Sequence, residues 1–366
     1  MDWWRHPSAR LVAGCVAAAL SLALAAAATA PVVTAAPEQT APPARETGRA
    51  APGKLASGLP PVPGRRMFAA SSPFNQLIPR SAPVHPSSAE LVARLFRRAR
   101  SSPPVVAVSQ WSVPVLRARK GTKRQSVTLT ANWSPYARMV GVPIPRGARP
   151  DPQGDGHLAI IAPGKKWLWE LWQARRKGGR WLASWGTRIR LASSGVHRRG
   201  LSARGSGFAL TAGLIWPREL RRGRIAHALL FSAHPTRRTT FVAPATESDG
   251  TSRSALALPE GARLRLDPAV DLSAFAMTRK ERVIAVALQR YGMFLGDDGG
   301  SVVSLYQVNP SSFRKAVVGR QPWRLYDGVA ELPGIPWDRL QVLDYQGSER
   351  RVDTDRLRVT DPRIYR

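Results

Sequence analysis

His157 and Glu170 sit thirteen residues apart in DPQGDGHLAIIAPGKKWLWELWQARRKGGRWLASWGTRIR (residues 151–190), among several tryptophans. A histidine and a carboxylate in such surroundings can act as an acid/base pair, and a glycosidic bond is cleaved by groups of this kind. Another histidine, His227, lies in the apolar run RIAHALLFSA (224–233). Trp172 and Trp185 offer flat faces on which a sugar ring can stack, and Asp155 stands two residues before His157. Elimination on an acidic polysaccharide needs a base and a cation beside the uronate. A histidine or Tyr291 would serve as the base, and Arg265 as the cation. The plain alternative makes Glu170 and His157 a buried structural pair and His227 a satisfied core histidine.

The elements that must hold these residues are strands. HLAIIA (157–162), WLWELWQA (167–174) and RWLASWGTRIRL (180–191) are separated by Pro163-Gly164 and Gly178-Gly179, both turn signals. A two-residue Gly-Gly turn needs positive φ at both positions, which glycine adopts freely. Centring it there sets Lys177 opposite Arg180, Trp172 opposite Trp185, Glu170 opposite Thr187 and Leu168 opposite Ile189. The shorter loop sets Ala159 opposite Glu170 and His157 opposite Trp172. Alternation then places His157, Glu170, Trp172 and Trp185 on one, inward face, with His157 and Glu170 on a diagonal of about 7–8 Å. Trp167 and Trp169 share the other face with Arg188 and Arg190, as stacked cation–π pairs near solvent. Glu170 is expected to be partly buried, within reach of His157 or an arginine, and beside a groove.

Composition gives the address. MDWWRHPSAR followed by the apolar run 11–30 and small residues at Val33 and Ala35 has the form of a secretory signal over residues 1–35. Residues 36–66, rich in Pro, Ala and Gly, read as a tether, and 67–366 as one β-rich globular domain. Cys15 is the only cysteine, so the mature chain has neither a disulfide nor thiol chemistry. The net charge of +31, or +30 without residues 1–35, is spread along the chain rather than gathered in one arm. That pattern suits an anionic polysaccharide or cell-envelope polymer as partner, with no nucleic acid and no membrane after cleavage. The protein is expected to be a secreted or envelope-associated monomer.

Further along, SSAELVARLFRRAR (87–100) reads as a helix with a Ser87/Glu90 capping box. Pro217–Arg222 reads as a helical turn closed by Gly223, and TRKERVIAVALQRY (278–291) as a helix capped by Thr278 and Glu281. RIAHALLFSA, TTFVAPA, ARLRLD, LQVLD and DRLRVT read as strands, and MFLGDDGGSVVSLYQV as a hairpin across Asp297–Gly300. The sum is a mainly β fold, a β-sandwich or jelly-roll-like single domain with two or three short helices. No ligand spacing joins Asp155, His157, His227 and Glu170, and neither Gly154-Asp155-Gly156 nor Asp297-Asp298-Gly299-Gly300 continues as an EF-hand loop. Both read as turns; no metal and no cofactor is expected.

GDGHLAII…WLWELWQA, GLIWPRELRRGRIAHALLF, PEGARLRLDP and IAVALQRYGMFLGDDGGS together resemble a family of exported β-rich bacterial proteins common in actinobacteria. The resemblance spans roughly residues 70–345. It implies export and a single β-rich domain, and attaches no reaction. Its members carry Asp or Asn before the histidine of the IxHAL segment, where this chain has Ala226.

Two functions follow as expectations. One is an exported carbohydrate-active protein cleaving glycosidic bonds by hydrolysis or elimination, with catalytic Glu170, His157 and His227. The other is a non-catalytic envelope-binding module using Trp167 and Trp169 among arginines. The export reading has a direct check: intact-mass analysis of secreted protein is expected to show a chain beginning at Ala36. A full-length membrane-bound product would identify the apolar segment as an anchor.

Overall fold

The computed structural model describes residues 67–97, 103–300, 303–313, 323 and 328–352. The expected signal, tether and strand at 355–360 lie outside these residues. In chain order the first strands are β1 (Val105–Ala107), β2 (Val115–Arg117), β3 (Arg124–Leu129), β4 (Arg138–Pro143), β5 (Leu158–Ile161), β6 (Trp167–Trp172), β7 (Arg175–Lys177), β8 (Arg180–Ala183) and β9 (Trp185–Arg190). There follow β10 (Leu229–Ala233), β11 (Thr240–Val242), β12 (Arg263–Leu266), β13 (Met293–Asp298), β14 (Ser304–Tyr306), β15 (Val329–Glu331), β16 (Leu340–Val342) and β17 (Glu349–Arg351). Three α-helices accompany them: α1 (Ser88–Leu95), α2 (Pro217–Arg222) and α3 (Arg279–Arg290).

The Gly178-Gly179 turn sets the central register. Both glycines have positive φ (55° and 75°), and Lys177 faces Arg180, Trp172 faces Trp185, Glu170 faces Thr187 and Leu168 faces Ile189. Ala159 faces Glu170 across β5 and β6. The ribbon does not stay in one sheet. It bends where Gln173 takes φ 51° and the Ser184 hydroxyl donates to the Gln173 side chain. Beyond the bend β7 and β8 join β3 and β4 in the order β4-β3-β8-β7, while β6 and β9 stay in β2-β5-β6-β9. Three expected strands have therefore become five.

The third sheet has seven strands in the order β15-β1-β14-β10-β13-β12-β16, and β11 pairs with β17. Strand alternation divides it between two cores. Leu229, Phe231, Met293, Leu295 and Leu305 pack with α1 and α3, whereas Leu230, Phe294 and Tyr306 pack with the smaller sheets. The fold is mainly β with three α-helices among the described residues.

Several local expectations are corrected. β13 and β14 form no hairpin, because β10 lies between them, parallel to β13 and antiparallel to β14. Residues 224–228 precede β10 rather than extend it, so His227 is not on a strand. Ser87 makes no side-chain cap to α1, whereas Thr278 and Glu281 cap α3 reciprocally. Trp169 is buried, and so is most of β6 on both faces, so the Arg–Trp stack is only partly at solvent: Arg188 lies 4.6 Å from the Trp167 ring centre and Arg190 4.7 Å.

Gly186 shows how closely the ribbon is packed. A Cβ there would lie 2.2 Å from Met139 Sδ and 2.9 Å from Leu171 Cδ2. Gly186→Ala is expected to destabilise the fold by about 1–3 kcal/mol in chemical denaturation, the usual cost of overpacking. Gly299→Ala, where nothing lies within 4 Å, is expected to be near neutral.

Candidate functional site

Glu170 is sealed. It is 0% exposed, one carboxylate oxygen meets His197 Nε2 at 2.8 Å, and the other accepts the Leu210 backbone N–H at 2.7 Å. The expected groove and the expected partner His157 are both replaced, since loop 191–216 folds over this face and brings His197 with it. A carboxylate enclosed in this way meets no sugar oxygen, and its role is to fasten that loop to β6. Trp185 is 1% exposed and so offers no stacking face, while Trp172 is half-buried.

Arg265 and Tyr291 are structural as well. The Arg265 guanidinium is held by Gln341 and by the carbonyls of Pro79, Arg80 and Ala82, which lashes the N-terminal segment to β12. Tyr291 is buried behind α3, and its carbonyl accepts from Arg263.

His227 borders a cleft that also includes Thr211, Trp216, Arg218, Glu219 and Ala226. Its Nδ1 faces the Ala228 carbonyl at 2.8 Å and its Nε2 faces Glu219 at 3.2 Å. Two acceptors call for two N–H donors, so the ring is held as imidazolium. Burial opposes that charge, and the Glu219 carboxylate outweighs it, leaving the pKa above its ordinary value. Glu219 in turn accepts the Trp216 backbone N–H at the start of α2. Nε2 is thus committed to Glu219 of α2 and Nδ1 to the Ala228 carbonyl ahead of β10.

The remaining two expected residues, Asp155 and His157, belong to a different group. The Gly154-Asp155-Gly156-His157 loop lies against the bend of the ribbon. Gln173 donates to the Asp155 carbonyl, Ala174 donates to that of Gly156, and a Cβ on Gly156 (φ 46°) would lie 3.0 Å from Gln173 Cα. Asp151 braces the loop by accepting from Ser112 and Gln153, its pKa pushed up to about 6 by burial. Asp155 therefore comes to rest beside the Trp172 indole, which donates to it; burial lifts the Asp155 carboxyl above the usual range, against a lowering from Arg204. His157 is buried and bonded to the Ala203 backbone. Burial first, then Arg204, pushes its pKa down to about 3, so the imidazole is neutral.

A bulge in β13 supplies the next member. Phe231 pairs with Leu295 but Ser232 pairs with Asp297, so Gly296 is an extra residue. Strict alternation would turn Asp297 towards the helices; the bulge turns it towards Tyr306 and Arg204. Arg204 Nη1 lies 2.8 Å from Asp297 Oδ2, the Tyr306 hydroxyl is 3.4 Å from the same oxygen, and the guanidinium stacks over the Tyr306 ring at 4.6 Å. Burial and the Asp297 charge raise the Tyr306 hydroxyl above its ordinary value. Ser206 donates to the Gly296 carbonyl and fixes the arginine's loop to the bulge.

Two acids complete the group. Asp249, in the loop between β11 and β12, packs against Gly205, where a Cβ would lie 2.3 Å from its carboxyl carbon. Glu260, just before β12, is 0% exposed and accepts the Asp249 N–H. Asp249, Glu260 and Asp297 each bring an oxygen within 4.8 Å of the others. Burial and mutual repulsion push Asp249 and Glu260 well above the usual carboxyl range. Next to them Asp298 is satisfied by His234, Thr236 and Thr251. The sequence reading missed Arg204, Asp249, Glu260, Asp297, Asp298 and Tyr306. It assigned Asp297 and Asp298 to a turn, whereas they end a strand. Their signal was present in the short Gly/Asp motifs, which spell turns equally well.

No protein-family model, no curated protein and no solved structure matches the chain.

The His227 assignment fixes a pH dependence. Its folded pKa is raised, so its contribution is fully present below the ordinary histidine pKa of 6.5 and is lost as pH rises through the folded value. The stability difference between the wild type and His227→Gln is expected to be about 1–3 kcal/mol at pH 5 and to shrink at high pH. Denaturation of both proteins from pH 5 to 9 measures it; a flat difference would mean a neutral ring.

Proposed function

We propose that this is an exported carbohydrate-active protein that cleaves glycosidic bonds of an acidic or envelope polysaccharide, with Asp155 rather than Glu170 as its proton donor. The observation that carries the reading is Asp155 itself: a largely buried carboxyl on a residue that keeps some surface, raised by burial and accepting a hydrogen bond from the half-buried Trp172. A raised carboxyl pKa is the direction that protonation of a leaving glycosidic oxygen requires. Trp172 offers the adjoining apolar face for a sugar ring. The buried Arg204–Asp297 pair lies behind it and adds a positive charge to its surroundings. The strong net positive charge favours an anionic chain as substrate. The second reading, an envelope-binding module, is favoured by the Trp167 ring flanked by Arg188 and Arg190.

The purified protein, assayed on a panel of neutral and acidic polysaccharides, is expected to release new reducing ends, with ultraviolet absorbance as well if the bond is eliminated. Asp155→Asn is expected to lower turnover by about 100-fold or more. Glu170→Gln is expected to act through stability instead. Binding without turnover across the panel, weakened by salt, would select the module.

A further inference from the structure

We propose that Asp249, Glu260 and Asp297 form a binding site for one hard divalent cation of the calcium type. The three residues come from the loop after β11, the lead into β12 and the bulged end of β13, and their oxygens converge within 4.8 Å. An all-carboxylate oxygen set selects calcium, magnesium or manganese over the softer metals that prefer nitrogen or sulfur. Calcium suits it best, since it accepts uneven geometry and bidentate carboxylates.

A second observation points to a ligand. Glu260 is wholly buried; its Oε2 takes the Asp249 N–H, its carboxyl meets that of Asp249, and its buried Oε1 has no N–H or hydroxyl donor against it. An orphaned carboxylate oxygen inside a protein is costly, and a cation or a proton is what relieves it. The local countercharge is already allocated. Arg204 is committed to Asp297 Oδ2, His234 to Asp298, and no other lysine or arginine pairs with these acids among the described residues. The chain carries 55 Lys and Arg against 24 acids, yet among the described residues no other ion pair to these three acids is formed. The shape is also fixed in advance: Gly205 leaves room for the Asp249 carboxylate, and the Asp298 N–H holds its Oδ1. Raised carboxyl pKa values agree with the crowding that a cation would relieve.

The test reads the metal and is independent of any glycan activity. Protein stripped with a chelator is titrated with calcium chloride, and separately with magnesium chloride, by calorimetry and by thermal melting. One calcium per chain and a rise in Tm of several degrees are expected, with magnesium weaker. Terbium bound in place of calcium is expected to luminesce on excitation of the nearby Tyr306 and Trp172. Asp249→Asn and Glu260→Gln are each expected to weaken calcium binding about tenfold or more. Glu260→Gln is also expected to melt higher than metal-free wild type, because it removes a repelling charge. Should one variant fail to fold, the other carries the comparison. The proposal is overturned if stripped wild-type protein shows neither heat nor a Tm change with millimolar calcium, magnesium or manganese. It is equally overturned if both variants keep the wild-type calcium response, in which case a proton shared by Asp249 and Glu260 relieves the crowding.

Discussion

A buried guanidinium governs this fold. The Arg204 side chain is fully enclosed, and its partner Asp297 is 19% exposed. Taking both charges out of water costs several kcal/mol per ion, which is offset only by a short contact and further hydrogen bonds. The 2.8 Å contact to Asp297 and the Tyr306 ring beneath the guanidinium provide part of that return. The rest of the region is arranged to keep the contact in place. The β13 bulge aims Asp297, Ser206 ties the loop to the bulge, and Gly205 lets the loop sit against Asp249. Removing either charge would strand the other in a dry interior, so loop 202–207 and the seven-stranded sheet are bound to the same position. Two guanidinium nitrogens, Nε and Nη2, remain without partners, which leaves the pair polar on the side facing His157 and Asp155.

How much of this was legible in the sequence depended on how local each signal was. The ribbon register from Leu168 to Ile189 was readable, because a Gly-Gly turn and a period of two leave no freedom once the turn is placed. Helix α3 was readable from Thr278, Glu281 and its apolar stripe, all within fourteen residues. The β13–β14 hairpin was misread because sequence adjacency says nothing about insertion of β10 between the two strands. His197 as the partner of Glu170 was invisible for a related reason: it arrives on a loop 27 residues away. The acid group drew on residues 155, 249, 260, 297 and 298, with Arg204 between them in the chain and Tyr306 after them. Its assembly depended on one extra residue in β13, and a single glycine carries no mark that distinguishes a bulge from an ordinary strand position.

The charge distribution gives the acid group its meaning. In a chain with more than two basic residues for each acid, carboxylates are scarce, and those on the surface are readily matched by neighbouring arginines. Five of the 24 acids nevertheless meet in one place with one arginine, Arg204, and two histidines, His157 and His234, for company among the described residues. Random placement in so basic a chain would have surrounded each with positive charge. Here burial raises Asp155, Asp249, Glu260 and Asp297 together, and only Asp298 is fully supplied with donors. The arrangement stores electrostatic repulsion that the fold tolerates because its two cores on either side are closed and complete.

Glu170 and Asp155 make the same point by contrast. Both are acids against the same ribbon, and residue type alone favoured Glu170, which sits among tryptophans on an inward face. Enclosure decided otherwise. Glu170 has a histidine and a backbone N–H on its two oxygens and no surface at all, so its chemistry is spent on holding loop 191–216 in place. Asp155 lies at the bend where the ribbon changes sheets, and it keeps some surface there beside Trp172. A carboxyl needs burial to raise its pKa and exposure to meet a substrate. The kink at Gln173 leaves Asp155 with some surface, while the continuous strand pairing around Glu170 leaves it none.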